Sequence, residues 1–420
     1  MKRIICAALT LTLMTSCAKS GKGFSPRLDT NSSASVSVVG SYNNFESLEA
    51  AFDRFKEYYP NVDLSYTRID DYNNMIGTVL DGTVPPDIYT AYSWMNGRAQ
   101  YQAVFDHAED LSDSSLGLDL DCIRPGLLTT NENGLPMVPV FSTTYGMLVN
   151  NDIFKKEGLK VPQTFTDMAS VCAALSEKGY KSPVMGYSGQ DNNFFAFSLS
   201  YPLFAGSIAD DPDTIAKLNS LDPSAGEAMR PAIEAAVKFT ETAHIDMAEC
   251  AKMEDSYEAV MLRFFEGDVP MMICSGDTVS GTKKRESKSE KFTASPFTYS
   301  FTPIPLTDEG GYFLDSPSLQ FAVNKNSDEL DMTNEFMRFL ITSEELNRLA
   351  ETKRLVTPTK DLSFDSVYAP FGDIPTSRVI SPEAVGINDD TVIQYRLAVN
   401  KVVGGEMTAD EAIGSYGSLE

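Results

Sequence analysis

Histidine is almost missing from this chain: two residues in 420, His107 and His244. It is the side chain most often used to move protons near neutral pH, so an active site built around one is hard to assemble here. His244 reads as a packed or capping residue near a helix end. Tryptophan occurs once, as Trp94. Cysteine is scarce and scattered. Cys6, Cys17, Cys122, Cys172, Cys250 and Cys274 contain no Cys-x-x-Cys pair, which argues against the usual zinc and redox frameworks. The four interior cysteines can form disulfides in three connectivities or remain buried thiols, and the sequence leaves both open. Basic residues are outnumbered, 34 Lys and Arg against 59 Asp and Glu, giving a net charge of −25. Nucleic-acid binding rests on Lys and Arg facing phosphate, so no nucleic-acid partner is expected, and acidity of this kind keeps a surface protein soluble. Sequence motifs for chemistry are missing too. Gly186-Tyr-Ser-Gly189 fails the nucleophile-elbow spacing by one position. There is no phosphate-binding loop, no His-Glu-x-x-His and no dinucleotide fingerprint after the first strand. Neither a cofactor nor a metal is expected.

No interior apolar run approaches the length of a membrane span. At the amino end, MKRIICAALTLTLMTSC, the apolar stretch Ile4–Met14 follows Lys2 and Arg3. It is about half the roughly 20 residues a spanning helix needs, and basic start, short apolar core and small residues describe a secretory signal. Met14-Thr15-Ser16-Cys17 resembles the bacterial lipoprotein cleavage box, which implies removal of residues 1–16 and a lipid on Cys17. From Ala18 to Ser35 the chain is rich in Ser, Lys, Gly and Asn without periodicity. That is linker composition, so 17–35 is expected to be the lipidated cysteine and a flexible linker.

From Val36 onward the composition is that of a globular protein. The apolar fraction is 42% and the aromatic fraction 10%, in a chain long enough for two or three domains' worth of core. Val36–Val39 reads as a strand. Phe45, Leu48, Phe52, Phe55 and Tyr59 recur at helical spacing, with Asn43 and Glu46 as a cap and Pro60 as a stop. Val62, Leu64 and Tyr66 alternate as a second strand, a helix is expected over 73–80, and Pro85-Pro-Asp87 leads into a third strand at Ile88–Ala91. Strand, helix, strand, helix, strand is the pattern of a parallel α/β sheet. Thr164 with Asp167 forms a capping-box pattern. Asp222-Pro223 opens a long helix to about Ile245, and Val269–Ile273 is a buried strand. Beyond Asp331 the chain reads as mainly helical. Lys283–Lys291 is the only basic cluster and is expected to be a solvated loop, with contact to an acidic partner surface as the functional alternative.

Several stretches together resemble the bacterial extracellular solute-binding proteins of the maltose-binding-like class (family 1), which feed ABC importers. They are FESLEAAFDRFKEYYPNVDLSY with GTVPPDIYTAYS, STTYGMLVNNDIFKKEGLKVPQTFTDM, FFEGDVPMMICSGD and VNKVVGGEMTADEAI, in that order. The resemblance implies an α/β fold of two lobes, periplasmic-binding-protein-like and type II. Each lobe is then a mainly parallel sheet flanked by helices, with a ligand cleft between them. It places 36–143 and 284–320 in the amino-terminal lobe and 144–283 and 321–420 in the carboxyl-terminal lobe. It further implies a monomer without catalytic residues. Such a protein captures a small solute, expected to be a sugar or oligosaccharide, by lobe closure and hands it to the importer's permease subunits. It works outside the cytoplasm, held to the membrane by the lipid on Cys17.

In open α/β sheets ligands bind beyond the carboxyl ends of strands, which singles out six places. Ser41-Tyr42-Asn43-Asn44 follows the first strand. Tyr92-Ser93-Trp94 follows the third, where a flat aromatic face suits the apolar face of a sugar ring. Tyr145 stands at the expected crossover. Tyr187, Gln190 and Asp191 follow a later strand, with Phe194 or Phe195 adding a stacking face. Ser275 and Asp277 follow the Met-Met-Ile strand; many relatives carry an aromatic where this chain has Asp277, so a stacking platform from that lobe is in doubt. Tyr312, Asp315 and Ser318 lie near the returning crossover. The competing readings are an exported carbohydrate-active enzyme using a carboxylate pair, a receptor for a cationic solute such as a polyamine, and a sensing lipoprotein without an importer.

Overall fold

The computed structural model describes residues 23–43, 45–132, 134–186, 194–250, 252, 257–361 and 365–420. Among them the strands are β1 (Ala34–Gly40), β2 (Val62–Arg68), β3 (Ile88–Ala91), β4 (Val138–Thr143), β5 (Tyr145–Asn150), β6 (Val184–Gly186), β7 (Met271–Ser275), β8 (Tyr299–Thr302), β9 (Phe313–Leu314), β10 (Ser316–Val323) and β11 (Val379–Ile380). They build two sheets, one per lobe. The first has the order β2-β1-β3-β10-β4 and the second β6-β7-β5-β8, while β9 and β11 form a small parallel pair.

The first sheet begins as the periodicity dictates. Leu48, Ala51, Phe52 and Phe55 on the helix Glu46–Lys56 bury one face against it, and β1 lies parallel to both β2 and β3. Phe45 caps that helix without a side-chain bond; it is instead buried among Phe141, Phe321 and Tyr66, so the expected Asn43–Glu46 cap does not form. Strand direction then changes. β10 runs antiparallel to β3 and β4, and β5 antiparallel to β7 and β8. The sheets are therefore mixed. The parallel part is the β1–β2–β3 edge and the β6–β7 pair, and the strands that carry the chain between lobes, β4 into β5 and β9 into β10, bring in the antiparallel pairings of β5 and β10.

The lobe boundaries expected from the resemblance need correcting at the second crossing. Within 284–320, β8 pairs with β5 of the second sheet, with Phe301 fully buried there, and only β10 joins the first. The helices Leu330–Leu340 and Ser343–Lys353, expected in the carboxyl-terminal lobe, pack on the first. Their Phe336, Phe339, Leu346 and Leu349 join the cluster that holds Phe52 and Phe55, with Phe52 and Phe336 rings 5.4 Å apart. Burial of those apolar stripes decides where each segment sits. The first lobe is thus roughly 34–143 with 316–359, and the second 144–314 with 366–420. The chain crosses three times: at Thr143–Tyr145, at Leu314–Ser316 and after Thr359.

Three smaller expectations also change. The stretch Lys283–Lys291 is helical, as Thr282–Lys288 and the start of Glu290–Ala294, because Thr282 and Ser289 are buried beneath it. The long helix from Pro223 is a 3-10 turn, Pro223–Met229, followed by an α-helix, Arg230–Thr242. Pro231 has no N–H to continue the ladder and so sits in a first turn. The expected flexible linker is docked from Gly23 onward. Phe24 packs edge-on against Tyr58 and Phe339 at 5.0 and 5.3 Å under the Arg338 guanidinium, and the Arg27 N–H donates to Glu335 at 2.8 Å. Cys17 and the signal lie outside the described residues. Cys122, Cys172, Cys250 and Cys274 are buried free thiols.

Candidate ligand-binding site

A cleft of about 1000 Å³ separates the lobes. Its first wall forms at the carboxyl ends of β1 and β3. Ser41 and Tyr42 leave β1, and Tyr92, Ser93 and Trp94 leave β3, all facing the cleft. Tyr92 and Trp94 stack at 5.7 Å with 16° between the rings, and Tyr101 braces Trp94 edge-on at 5.2 Å. The turn that presents them is fixed by Gln320 on β10, which accepts from the Ser93 N–H at 3.0 Å and the Ser93 hydroxyl at 2.9 Å. Arg98 lies over Trp94, 5.4 Å from the ring centre, and reaches across to Asp389 of the second lobe at 3.0 Å.

The second wall is also aromatic. Tyr145 opens β5, and Phe197 and Tyr201 project from the helix Phe194–Ile208. Phe197 stacks on Tyr201 at 4.6 Å and meets Tyr145 edge-on at 5.7 Å. Beside them stand Asp277 at the start of the helix Gly276–Ser280, and Glu383 and Asp389 at the starts of Pro382–Val385 and Asp389–Val403. The crossing segments make the floor, with Thr143, Thr144, Ser316 and Ser318.

Two cleft carboxylates are held away from their ordinary acidity. Burial raises Asp277, and hydroxyls from Ser318 and Thr143 only partly offset it. Burial likewise pushes Glu383 up to about 7, with the nearby Asp315 charge adding to the effect and the Ser316 hydroxyl, donating at 2.7 Å, opposing it. In the low-dielectric wall a carboxylate without a cationic partner favours its neutral form. The Tyr42 hydroxyl is also raised by burial, with Asp277 adding to it.

Of the residues singled out in the sequence, Tyr42, Tyr92, Trp94, Tyr145, Asp277 and Ser318 line the cleft. Others do not. Asn43 is exposed and off the wall. Ser275 is buried as the cap of the helix Gly276–Ser280, accepting from the Thr278 N–H. Tyr312 packs over Gly206 with Arg378 above its ring. Asp315 is gripped by Arg124 through two bonds of 2.6 Å. Asn44, Tyr187, Gln190 and Asp191 lie outside the described residues, and Phe194 opens its helix with a side chain outside them. Sequence reasoning missed Phe197, Tyr201, Arg98, Glu383, Asp389 and Arg396. The run FFAFSLSY did announce an aromatic helix face. Which of its rings reaches the cleft is set by packing: Phe195 turns inward onto Gly186, and Phe197 and Tyr201 turn out. The aromatic residues that line the cleft from the second lobe therefore include two from this helix, while position 277 supplies a carboxyl.

Residues 40–346 match the family model described as bacterial extracellular solute-binding protein. The chain belongs to that family. Solved structures show the same two-lobed periplasmic-binding-protein fold. Apo RafE from Streptococcus pneumoniae is 15% identical with a TM-score of 0.70, covering 93% of this chain and 97% of that one. The GacH receptor of Streptomyces glaucescens, solved unliganded and with acarbose, is 18% identical with a TM-score of 0.64, covering 92% and 97%. A Bacillus licheniformis sugar transporter solved with stachyose is 17% identical with a TM-score of 0.59, covering 92% and 100%. Comparison with curated proteins gives no match. Among the described residues, no helix is long and apolar enough to cross a membrane, and no cluster of His, Cys, Asp and Glu could hold a metal ion.

Proposed function

We propose that this solute-binding protein captures a sugar or oligosaccharide between its lobes and delivers it to the permease of an ABC importer, held at the membrane by a lipid on Cys17. The observation that carries the reading is the pair of opposed aromatic surfaces, Tyr92 with Trp94 on one lobe and Tyr145, Phe197 and Tyr201 on the other. Sugar rings offer apolar faces for stacking and a rim of hydroxyls for hydrogen bonds. Tyr42, Ser318, Asp277 and Glu383 supply the polar groups. The solved relatives bound to raffinose, acarbose and stachyose support a carbohydrate solute. Ligand bridging both walls favours the closed arrangement by its extra contacts there, and no bond is made or broken.

The cleft is poorly suited to a polyamine. Its carboxylates already have partners, Asp277 the Ser318 hydroxyl, Glu383 the Ser316 hydroxyl and Asp389 the Arg98 guanidinium, and Arg396 adds a further positive charge.

Titration calorimetry with raffinose, stachyose, maltotriose and spermidine tests the proposal. A sugar that binds saturably, is recovered intact and loses affinity in Trp94→Ala supports it. Response to spermidine alone, or turnover of a sugar, overturns it.

A further inference from the structure

The ion pair between Arg98 and Asp389, 3.0 Å long, joins the two walls of the cleft directly. Each end is fixed in its own lobe. The Arg98 N–H donates to the Met95 carbonyl at 3.3 Å, and the Arg98 carbonyl accepts from the Tyr101 N–H at 2.9 Å. Met95 and Tyr101 are buried in the first lobe with Tyr72, Ile76 and Val104. Asp389 opens the helix Asp389–Val403, whose Tyr395, Ala398 and Val399 belong to the core of the second lobe. Asn388, which caps that helix, is bonded to Asn219 at the end of the helix Pro212–Asn219, at 3.0 and 3.1 Å. None of these partners lies in the three crossing segments, unlike Asp315 or Ser316. Parting the lobes therefore parts Arg98 from Asp389.

The surroundings suit a tie that forms and breaks. The two side chains are 34% and 32% exposed, so their charges stay partly hydrated and are screened by salt. The amino end of its helix favours a carboxylate at position 389. Asp390 and Arg396, the other charges near it on that helix, are of opposite sign. The same guanidinium stands over Trp94, 5.4 Å from the ring centre, and so touches the first lobe's stacking surface. With the pair formed the cleft still encloses about 1000 Å³, ample for a small ligand. Tie and solute can therefore be present together.

We infer that the Arg98–Asp389 pair is a clasp that holds the lobes together around the solute, which makes both members positioning residues for capture. The inference rests on the solute-binding reading above and deepens it. The pair exists only with the lobes together, so it favours closure whether or not a solute is present. A partly exposed pair of this kind raises the closure constant about two- to five-fold. At about 1 M salt the screening length falls to about 3 Å and most of that gain is lost. An uncharged sugar is then bound with an affinity that depends on ionic strength, through two charges that act on the lobes.

Energy transfer between dyes on Val84→Cys and Glu241→Cys, exposed positions on the first and second lobes, reads the open and closed populations. Cys122, Cys172, Cys250 and Cys274 are buried. Without solute, raising salt from about 20 mM to about 1 M should lower the closed-to-open ratio about two- to five-fold. Asp389→Asn, which leaves Arg98 beside Trp94, should start at the lowered ratio and ignore salt. Adding Arg98→Gln to it should change the ratio little further, because the two act as one pair. A salt-insensitive wild type, or an Asp389→Asn variant that behaves like wild type, overturns the inference. Calorimetry with raffinose should show the same fold-loss of affinity with salt in wild type and none in Asp389→Asn; equal salt dependence in both overturns the inference. An absent raffinose heat with the population changes intact counts against the sugar reading and leaves the clasp standing.

Discussion

Replacing Arg124 by Met should cost about 3–5 kcal/mol of stability, the range for breaking a buried ion pair from one side. The structure gives the reason. The guanidinium grips Asp315 with two bonds of 2.6 Å, and its remaining donors serve the Thr357 and Thr359 carbonyls at 2.7 Å and the Ser142 hydroxyl at 2.8 Å. The Arg124 side chain is 13% exposed and that of Asp315 only 4%. Methionine fills much of the same volume but abandons a buried carboxylate and two carbonyls. An unfolding entropy of about 2.1 cal/mol/K per residue, over about 400 residues, converts a loss of about 4 kcal/mol into a fall in Tm of about 5 °C. Denaturant titration gives the energy directly, and calorimetry the melting temperature. The double variant Arg124→Met with Asp315→Leu removes both charges and should recover most of the loss, since an apolar pair can replace a buried ionic one at little net cost. A single variant within about 1 kcal/mol of wild type would refute the reasoning, because the carboxylate would then have found water or another partner. So would a double variant no better than the single.

Other consequences can be measured in the same protein. Phe24→Ala should lose about 1–2 kcal/mol through the packing of one half-buried ring and its edge contacts, read as a lower denaturation midpoint. Burial tends to raise Glu335, but Arg338, Tyr59 and the Arg27 N–H outweigh it and hold it below its ordinary 4.5. Its contribution is therefore full above that value and lost as the pH falls through the lowered one, so the protection of the Arg27 amide against exchange, relative to its intrinsic rate at each pH, should fall on acidification in that window. An acid-insensitive Arg27 would contradict this. Gly146→Ala drives a methyl to 2.7 Å from both the Phe301 ring and the Thr302 carbonyl. It should destabilise by about 1–3 kcal/mol, seen as a lower Tm, and an unchanged melt would show that β5 and β8 can separate freely.

The first lobe's opening unit was legible because each of its elements carries its own signal. Helical spacing of Leu48, Phe52 and Phe55 was written in consecutive residues, and so was the Thr164 capping box, which forms as expected. The aromatic wall at Tyr92 and Trp94 was legible for a related reason: it follows directly from where β3 ends. What failed depends on partners far away in the chain. The helices at 330–353 look alike whichever lobe they cover, and only contact with Phe52 and Phe55, nearly 300 residues earlier, assigns them. Asp315 resembled a cleft carboxylate until Arg124 claimed it. Glu383 and Asp389 belong to short helix starts on the far lobe, and nothing local distinguishes them from many other acids in so acidic a chain.

The docked stretch from Gly23 to the start of β1 makes the two lobes mechanically unequal. Phe24 and Arg27 are bonded to the first lobe, while the other end of the chain, with Tyr416 and Leu419, is buried in the second. Any pull transmitted along the chain from before Gly23 is therefore borne by the first lobe alone. Along the chain, force applied there reaches the half carrying Phe197, Tyr201 and Glu383 only through the crossing segments.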